Sequence, residues 1–121
     1  MHRRALEAKE KVLRREHPSM LASADNLGLV LSSQGKYEEA EAMHRRALEG
    51  YEKVLGREHP DTLTSLYCLA HLLHQRKQYE SASELYRRAY DGYIKTLGLE
   101  HPTTVACRKH HSSMDQEMQH K

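Results

Sequence analysis

Small and apolar residues recur at helical spacing along two stretches of the chain, and a proline opens each stretch. The first follows Pro18 and carries such residues at Leu21, Ala24, Leu27, Gly28 and Leu31. The second follows Pro60 and carries them at Leu63, Leu66, Leu69, Ala70 and Leu73. Spacings of three and four place these residues on one face of an α-helix. Because proline is well tolerated at the first helical position, each stretch is predicted to be a helix, called helix A, that begins there.

A second helical pattern follows each helix A. Helix A is expected to end near the glycine break at Gln34-Gly35, and helix B to begin around Tyr37 and to run to Leu55-Gly56. One period later, Leu97-Gly98 stands at the same place. A helix B of about 18 residues is a rod of about 27 Å. Each unit is therefore predicted to be an antiparallel helical hairpin, which cannot bury its apolar face alone.

The hairpins belong to a sequence repeat. The block MHRRALE occurs at residues 1–7 and again at 43–49, an offset of 42 residues, and Glu-His-Pro occurs three times with the same offset. A fixed period of this size is typical of stacked-repeat proteins, so the predicted fold class is all-α, an α-solenoid of helical hairpins. The predicted organisation is residues 1–16 as helix B of a truncated repeat, 17–58 and 59–100 as repeats, and 101–121 as a partial helix A with a polar tail.

The small residues resemble the tetratricopeptide pattern. The first repeat offers Ala24, Leu27-Gly28, Leu31, Ala40, His44, Ala47 and Pro60, and the second offers Leu66, Leu69-Ala70, Leu73, Ala82, Tyr86, Ala89 and Pro102. Both helix A aromatics of that pattern are replaced by aliphatics. The period of 42, against a usual value of about 34, is similar to the longer repeats of kinesin light chains and to repeat arrays at the C-terminus of fungal NTPase-type receptors. The resemblance implies a tetratricopeptide superhelix that binds proteins or peptides.

Composition limits the function classes. The chain has 121 residues, which is enough for one small domain. Its 19 basic and 17 acidic residues give a net charge of +2, so it lacks the strong positive charge typical of proteins that bind nucleic acids. Cys68 and Cys107 have no disulfide or zinc spacing, and no apolar run approaches the length of a membrane span. The protein is therefore expected to be cytoplasmic, away from membranes, and without a cofactor.

No residue pattern indicates catalysis or a metal site. The chain has no nucleophile motif and no glycine-rich phosphate loop, so a non-enzymatic role is predicted. The three His-Pro imidazoles (His17, His59 and His101) recur once per repeat, which favours a structural role in the turn between repeats. Cys68, His71 and His74 span too wide an arc of one helix to hold one tetrahedral ion.

The tetratricopeptide resemblance implies that the unpacked face of helix A lines a concave groove that binds a partner protein or peptide. Carried over position by position, the candidate groove residues are Asp25, Asn26, Leu29, Ser32, Tyr67, His71, His74, Gln75 and Lys109. The aromatic, imidazole and amide groups of the second repeat suit an extended peptide with polar or acidic side chains. The same residues also fit an ordinary exposed helix face, and that alternative stays open.

Two further kinds of partner follow from the sequence. Arginine pairs at Arg45-Arg46 and Arg87-Arg88 suggest contact with a polyanion or nucleic acid as the alternative function, although the balanced charge counts against it. Self-association through exposed repeat ends is the second possibility, with Leu6, Val12 and Leu13 on the N-terminal side.

Overall fold

The computed structural model describes residues 17–119, which form five α-helices and no strand. The helices are α1 (Pro18–Ser33), α2 (Tyr37–Val54), α3 (Pro60–Gln75), α4 (Tyr79–Leu97) and α5 (Pro102–Gln119). The all-α prediction is thus confirmed. The predictions for residues 1–16, including Leu6, Val12 and Leu13, lie outside the described residues. None of the described helices is both long enough and apolar enough to cross a membrane.

The helices form two antiparallel hairpins and a fifth helix, arranged in two layers. The pairs α1–α2 and α3–α4 make the closest contacts, α2 packs on α3, and α4 packs on α5. The A-type helices α1, α3 and α5 also contact one another directly. They form one layer, and the B-type helices α2 and α4 form the other.

A histidine side chain caps the start of every A-type helix. The Nδ1 atom of His59 accepts the backbone N–H of Asp61 at 3.1 Å, and His17 and His101 accept the same bond two residues ahead at 3.2 and 3.1 Å. The proline after each histidine occupies the first turn, where its missing N–H costs nothing. The structural role predicted for the His-Pro pairs therefore has a specific form, which is an imidazole N-cap.

The turns inside the two hairpins have the same backbone shape but different residues. Gly35 follows α1 with φ of 81°, and Lys77 follows α3 with φ of 62°. A side chain in this left-handed region costs about 1 kcal/mol relative to glycine. The turn of the second hairpin therefore forms without a glycine, although a glycine was the signal that predicted the turn of the first hairpin.

The main apolar core lies among α3, α4 and α5. It contains Leu63, Leu66, Leu69, Ala70, Leu73, Ala82, Tyr86, Ala89, Tyr93, Cys107 and Met114. A smaller cluster of Leu21, Ala47 and Tyr51 holds the first hairpin together. The C-terminal half of the described chain is therefore the better buried half.

Helix α5 is longer than the sequence pattern indicated. The segment expected to form a partial helix and a polar tail is helical from Pro102 to Gln119, because Cys107 and Met114 are fully buried on its inner face. Where α3 has Leu66, Ala70 and Leu73, α5 has the exposed polar residues Arg108, Ser112 and Asp115. The helix is thus apolar on the side that meets α4 and polar on the side that a further helix would cover.

Candidate functional site: a groove on the A-type helices

Side-chain bridges between residues 43 positions apart join neighbouring A-type helices. They connect Ser32 to Gln75 at 3.0 Å, Tyr67 to His110, and His74 to Glu117 at 3.0 Å. Because all three cross from one A-type helix to the next, they lie along one surface of α1, α3 and α5. This surface is the candidate site, and it is called the groove after its predicted role.

Aromatic and imidazole rings form a cluster in the middle of the groove. The rings of His71 and His110 lie 5.6 Å apart between centroids, those of Tyr67 and His110 lie 5.5 Å apart, and those of His71 and His74 lie 6.2 Å apart. These four residues, called the ring cluster, come from α3 and α5. The structure therefore brings Tyr67, His71 and His74 together with His110, and their binding of a partner stays a prediction.

Tyr67 is a structural member of the ring cluster. Its ring packs edge-on against Tyr86 at 6.1 Å and Tyr93 at 6.4 Å, and burial raises the pKa of its hydroxyl to about 12. The hydroxyl is therefore neutral and bonds to His110 Nδ1. The sequence predicted that Tyr67 projects away from the packed face, whereas the structure shows that replacing it with alanine would also remove core contacts.

His71 is the most available member of the ring cluster. It is exposed, and its contacts within residues 17–119 are with the rings of His74 and His110, without a hydrogen bond. Desolvation by its neighbours lowers the pKa of His71 below its ordinary value of 6.5, and the nearby imidazoles of His110 and His74 lower it further. Because its pKa is lowered, His71 is neutral at pH 7.

His74 already binds a carboxylate. Its Nε2 atom lies 3.0 Å from an oxygen of Glu117 on α5, and its Nδ1 atom lies 3.3 Å from the hydroxyl of Tyr86. Both ring nitrogens of His74 are thus used inside the protein.

The remaining predicted groove residues differ in how far they are exposed to solvent. Asn26, Leu29, Gln75 and Lys109 are exposed, and Ser32 is half-buried. Asp25 differs, since only 8 % of it is exposed and it lies among α1, α2 and α3. A ligand in the groove therefore cannot reach the Asp25 carboxylate. Position 25 corresponds to position 67 one repeat later, and both side chains turn inward toward helix B.

The partners of Asp25 resemble catalytic residues in type but not in arrangement. His44 Nδ1 lies 2.9 Å from one carboxylate oxygen, and Ser65 Oγ donates to the other. The carboxylate thus stands between the serine and the histidine, so the imidazole cannot take the serine proton as a general base would. This network is a buried structural element.

The two cysteines are unsuited to nucleophilic or metal chemistry. Both are free, and burial raises the thiol pKa of each to about 12. The thiolate is the reactive and ligating form. No group of three His, Cys, Asp or Glu residues within 17–119 is placed to hold a metal ion.

The arginine pairs on the B-type helices are partly neutralised. Arg45 bonds to Glu41 at 3.0 Å, and Arg88 lies 3.6 Å from Glu52. The residues around a nearby cavity of about 260 Å³ include both signs of charge, as shown by Arg57, Glu58, Arg88, Asp91 and Lys95. This surface is therefore not a uniform basic patch.

Stacked antiparallel hairpins are the architecture of helical-repeat solenoids. The sequence profile of the tetratricopeptide repeat matches residues 1–53 and 19–95. The chain belongs to the tetratricopeptide repeat family. Repeats of this family generally act as scaffolds for protein–protein interaction and are typically non-enzymatic.

Solved structures of related repeats agree with this assignment. The chain is 31% identical to the nearly identical TPR-like repeats of a kinesin light chain-like protein from Podosopora anserina, with a TM-score of 0.79 over 94% of this chain and 54% of the other. A glutamine-to-methionine variant of those repeats gives 30% identity, a TM-score of 0.78 and coverage of 93% and 53%. The chain therefore spans about half the length of these structures. No curated protein matches it.

Proposed function

We propose that the chain acts as a protein-interaction scaffold whose groove binds an extended segment of a partner protein over the ring cluster. One observation carries this proposal. His71 lies at the centre of the ring cluster, is exposed, and has no hydrogen bond within residues 17–119. Its two nitrogens can therefore meet backbone or side-chain groups of a bound peptide, while the neighbouring rings supply apolar contact.

The chemistry of the ring cluster favours a peptide with polar or acidic side chains. His74 binds the Glu117 carboxylate within the chain at 3.0 Å, which supports carboxylate binding by a neighbouring imidazole. Because the pKa of His71 is lowered below 6.5, His71 gains its charge only in mildly acidic solution. An acidic peptide is therefore expected to bind more tightly as the pH falls below about 6.5.

The free cysteines suit a reducing compartment. We accordingly assign the scaffold to the cytoplasm as part of this proposal.

The proposal is tested with short synthetic peptides of acidic, neutral and basic sequence, measured by fluorescence anisotropy. His71→Ala is expected to weaken binding of the acidic peptides, because it removes the open imidazole while leaving the buried core untouched. Glu84→Ala, an exposed site on α4, is the control and should bind as the unmodified chain does. Circular dichroism checks that both variants keep their helicity.

The contrary outcome is equally specific. If His71→Ala binds every peptide unchanged, the groove proposal is wrong. Binding that is lost instead in Arg45→Glu with Arg87→Glu, and that falls steeply with salt, would favour the polyanion alternative.

A further inference from the structure

A polar network is buried at the first junction of the array, where α1 and α2 pack on α3. It consists of Asp25, His44 and Ser65, called the polar set, which are 8%, 1% and 0% exposed. The two carboxylate oxygens of Asp25 accept one bond each, from His44 Nδ1 at 2.9 Å and from Ser65 Oγ. Each helix at the junction thus contributes one member.

The second junction, where α3 and α4 pack on α5, has different residues at the same three positions. Tyr67, Tyr86 and Cys107, called the aromatic set, stand 42 residues after the polar set. The two tyrosine rings pack edge-on at 6.1 Å, and Cys107 Sγ donates to the backbone oxygen of Tyr86 at 3.6 Å. All three positions therefore change together from polar to aromatic or thiol.

Mixed junctions would be unfavourable in both directions. If the first hairpin packed on α5, the Asp25 carboxylate would meet Cys107, whose thiol is a weak donor. If the second hairpin packed on α3, the hydroxyl of Ser65 would face Tyr67 and Tyr86, and it would exchange the Asp25 carboxylate for the backbone oxygen of Tyr86, a weaker neutral acceptor. A buried polar group that loses its partner carries a desolvation penalty, which is larger for a charged group.

We propose that the polar set determines which helix A can stack on the first hairpin. The hairpin accepts a helix that presents a hydroxyl donor at the position of Ser65 and rejects one that presents a thiol. Such selection has a use here, because similar repeats are prone to stack in the wrong order or between chains. Buried polar groups that fix register in other helical assemblies are the best supported precedent.

The sign of one substitution tests the proposal. Ser65→Cys in the unmodified chain should raise the unfolding equilibrium constant about tenfold, since it removes a bond to a carboxylate. In a chain that already carries Asp25→Tyr and His44→Tyr, the same Ser65→Cys change should lower that constant. Urea unfolding followed by circular dichroism measures both. A change of the same sign in the two backgrounds would overturn the proposal.

Refolding measures the selection itself. The triple variant Asp25→Tyr, His44→Tyr and Ser65→Cys makes the two junctions alike, so refolding at high protein concentration should give more swapped dimer than the unmodified chain gives. Size-exclusion chromatography with light scattering reports the dimer fraction. An unchanged fraction would show that the polar set only fills space, and would also overturn the proposal.

The second junction supplies variants should the triple variant fail to fold. Tyr67→Asp, Tyr86→His and Cys107→Ser place the polar set at both junctions. Cys107→Ser should stabilise the chain that carries Tyr67→Asp and Tyr86→His, and it should fail to stabilise the unmodified chain. Equal stabilisation in both backgrounds refutes the proposal as before.

Discussion

Two threonines at equivalent positions give a matched test of buried hydrogen bonding. Thr62 and Thr104 both lie in the first turn of an A-type helix and are 0% exposed. Thr62 Oγ1 donates to the backbone oxygen of Gly56 at 2.7 Å. Thr104 Oγ1 has no hydrogen-bond partner among the described residues, and the Gly98 oxygen that would correspond accepts the N–H of His101 at 3.4 Å.

Replacing each threonine with valine should therefore have opposite consequences. Thr62→Val removes a good bond and is expected to lower the free energy of unfolding by about 1 kcal/mol. Thr104→Val replaces an unsatisfied hydroxyl with a methyl group and is expected to be neutral or to raise that free energy by about 1 kcal/mol. Because valine and threonine are both β-branched, helix propensity contributes little to the difference.

The assay is urea unfolding at constant pH, monitored by circular dichroism, with thermal melts in support. For a chain of this size about 1 kcal/mol corresponds to a shift of several degrees in Tm, so a gap of that order should separate the two variants. Equal destabilisation by both variants would refute the reasoning, because it would show that the Thr104 hydroxyl is bonded as well as that of Thr62.

Three further substitutions give independent checks. Lys77→Gly should raise the free energy of unfolding by about 1 kcal/mol, because it relieves a left-handed turn; no gain in the urea midpoint would contradict this. His59→Ala should lower the free energy of unfolding by about 1 kcal/mol because it removes an N-cap, whereas His59→Asn should keep most of that stability. Equal thermal melts for the two variants would argue against the cap. Since the pKa of His71 is lowered on folding, the unfolded chain binds the proton more tightly, and stability is lost as the pH falls below about 6.5. His71→Gln should therefore lose less stability than the unmodified chain between about pH 7 and pH 5, and identical pH profiles would count against the lowered pKa.

Much of the fold could be predicted because local signals agree with the repeat. Helix boundaries were predicted at Pro18, Pro60 and Gly35, because the residue itself favours the backbone conformation that each boundary requires. A single sequence is enough to place such boundaries. Such local signals fail at Lys77. Its turn keeps the left-handed backbone conformation through the packing of the hairpin, although a lysine side chain disfavours that conformation. The extent of α5 was likewise missed, because its stability comes from Cys107 and Met114 packing on α4 and not from a periodic pattern of its own.

The site was harder to predict because it depends on which side of a helix each residue faces after stacking. Asp25 was placed in the groove by its motif position, but the packing of α2 and α3 draws it into the interior. His110 was missed although it stands at the position of Asn26 two repeats later, because the loss of the repeat pattern from that residue was taken to end helix A there. Its distance of 43 residues from Tyr67 is the signal that could have found it, since that spacing also separates Ser32 from Gln75.

The histidine cap bears on how such an array can grow by gene duplication. Each 42-residue unit contains the histidine that caps its own helix A. A copied unit therefore includes this cap, and no second substitution is needed to form it. The bonds of Asp25 behave differently, because Ser65 belongs to the following unit. A copy of the first unit would present Ser23, the equivalent of Ser65, to the Asp25 carboxylate, whereas a copy of the second unit would place Tyr67 and Tyr86 before a serine. Lengthening by whole units is therefore tolerated by the caps, and the polar junction favours copies of the first unit.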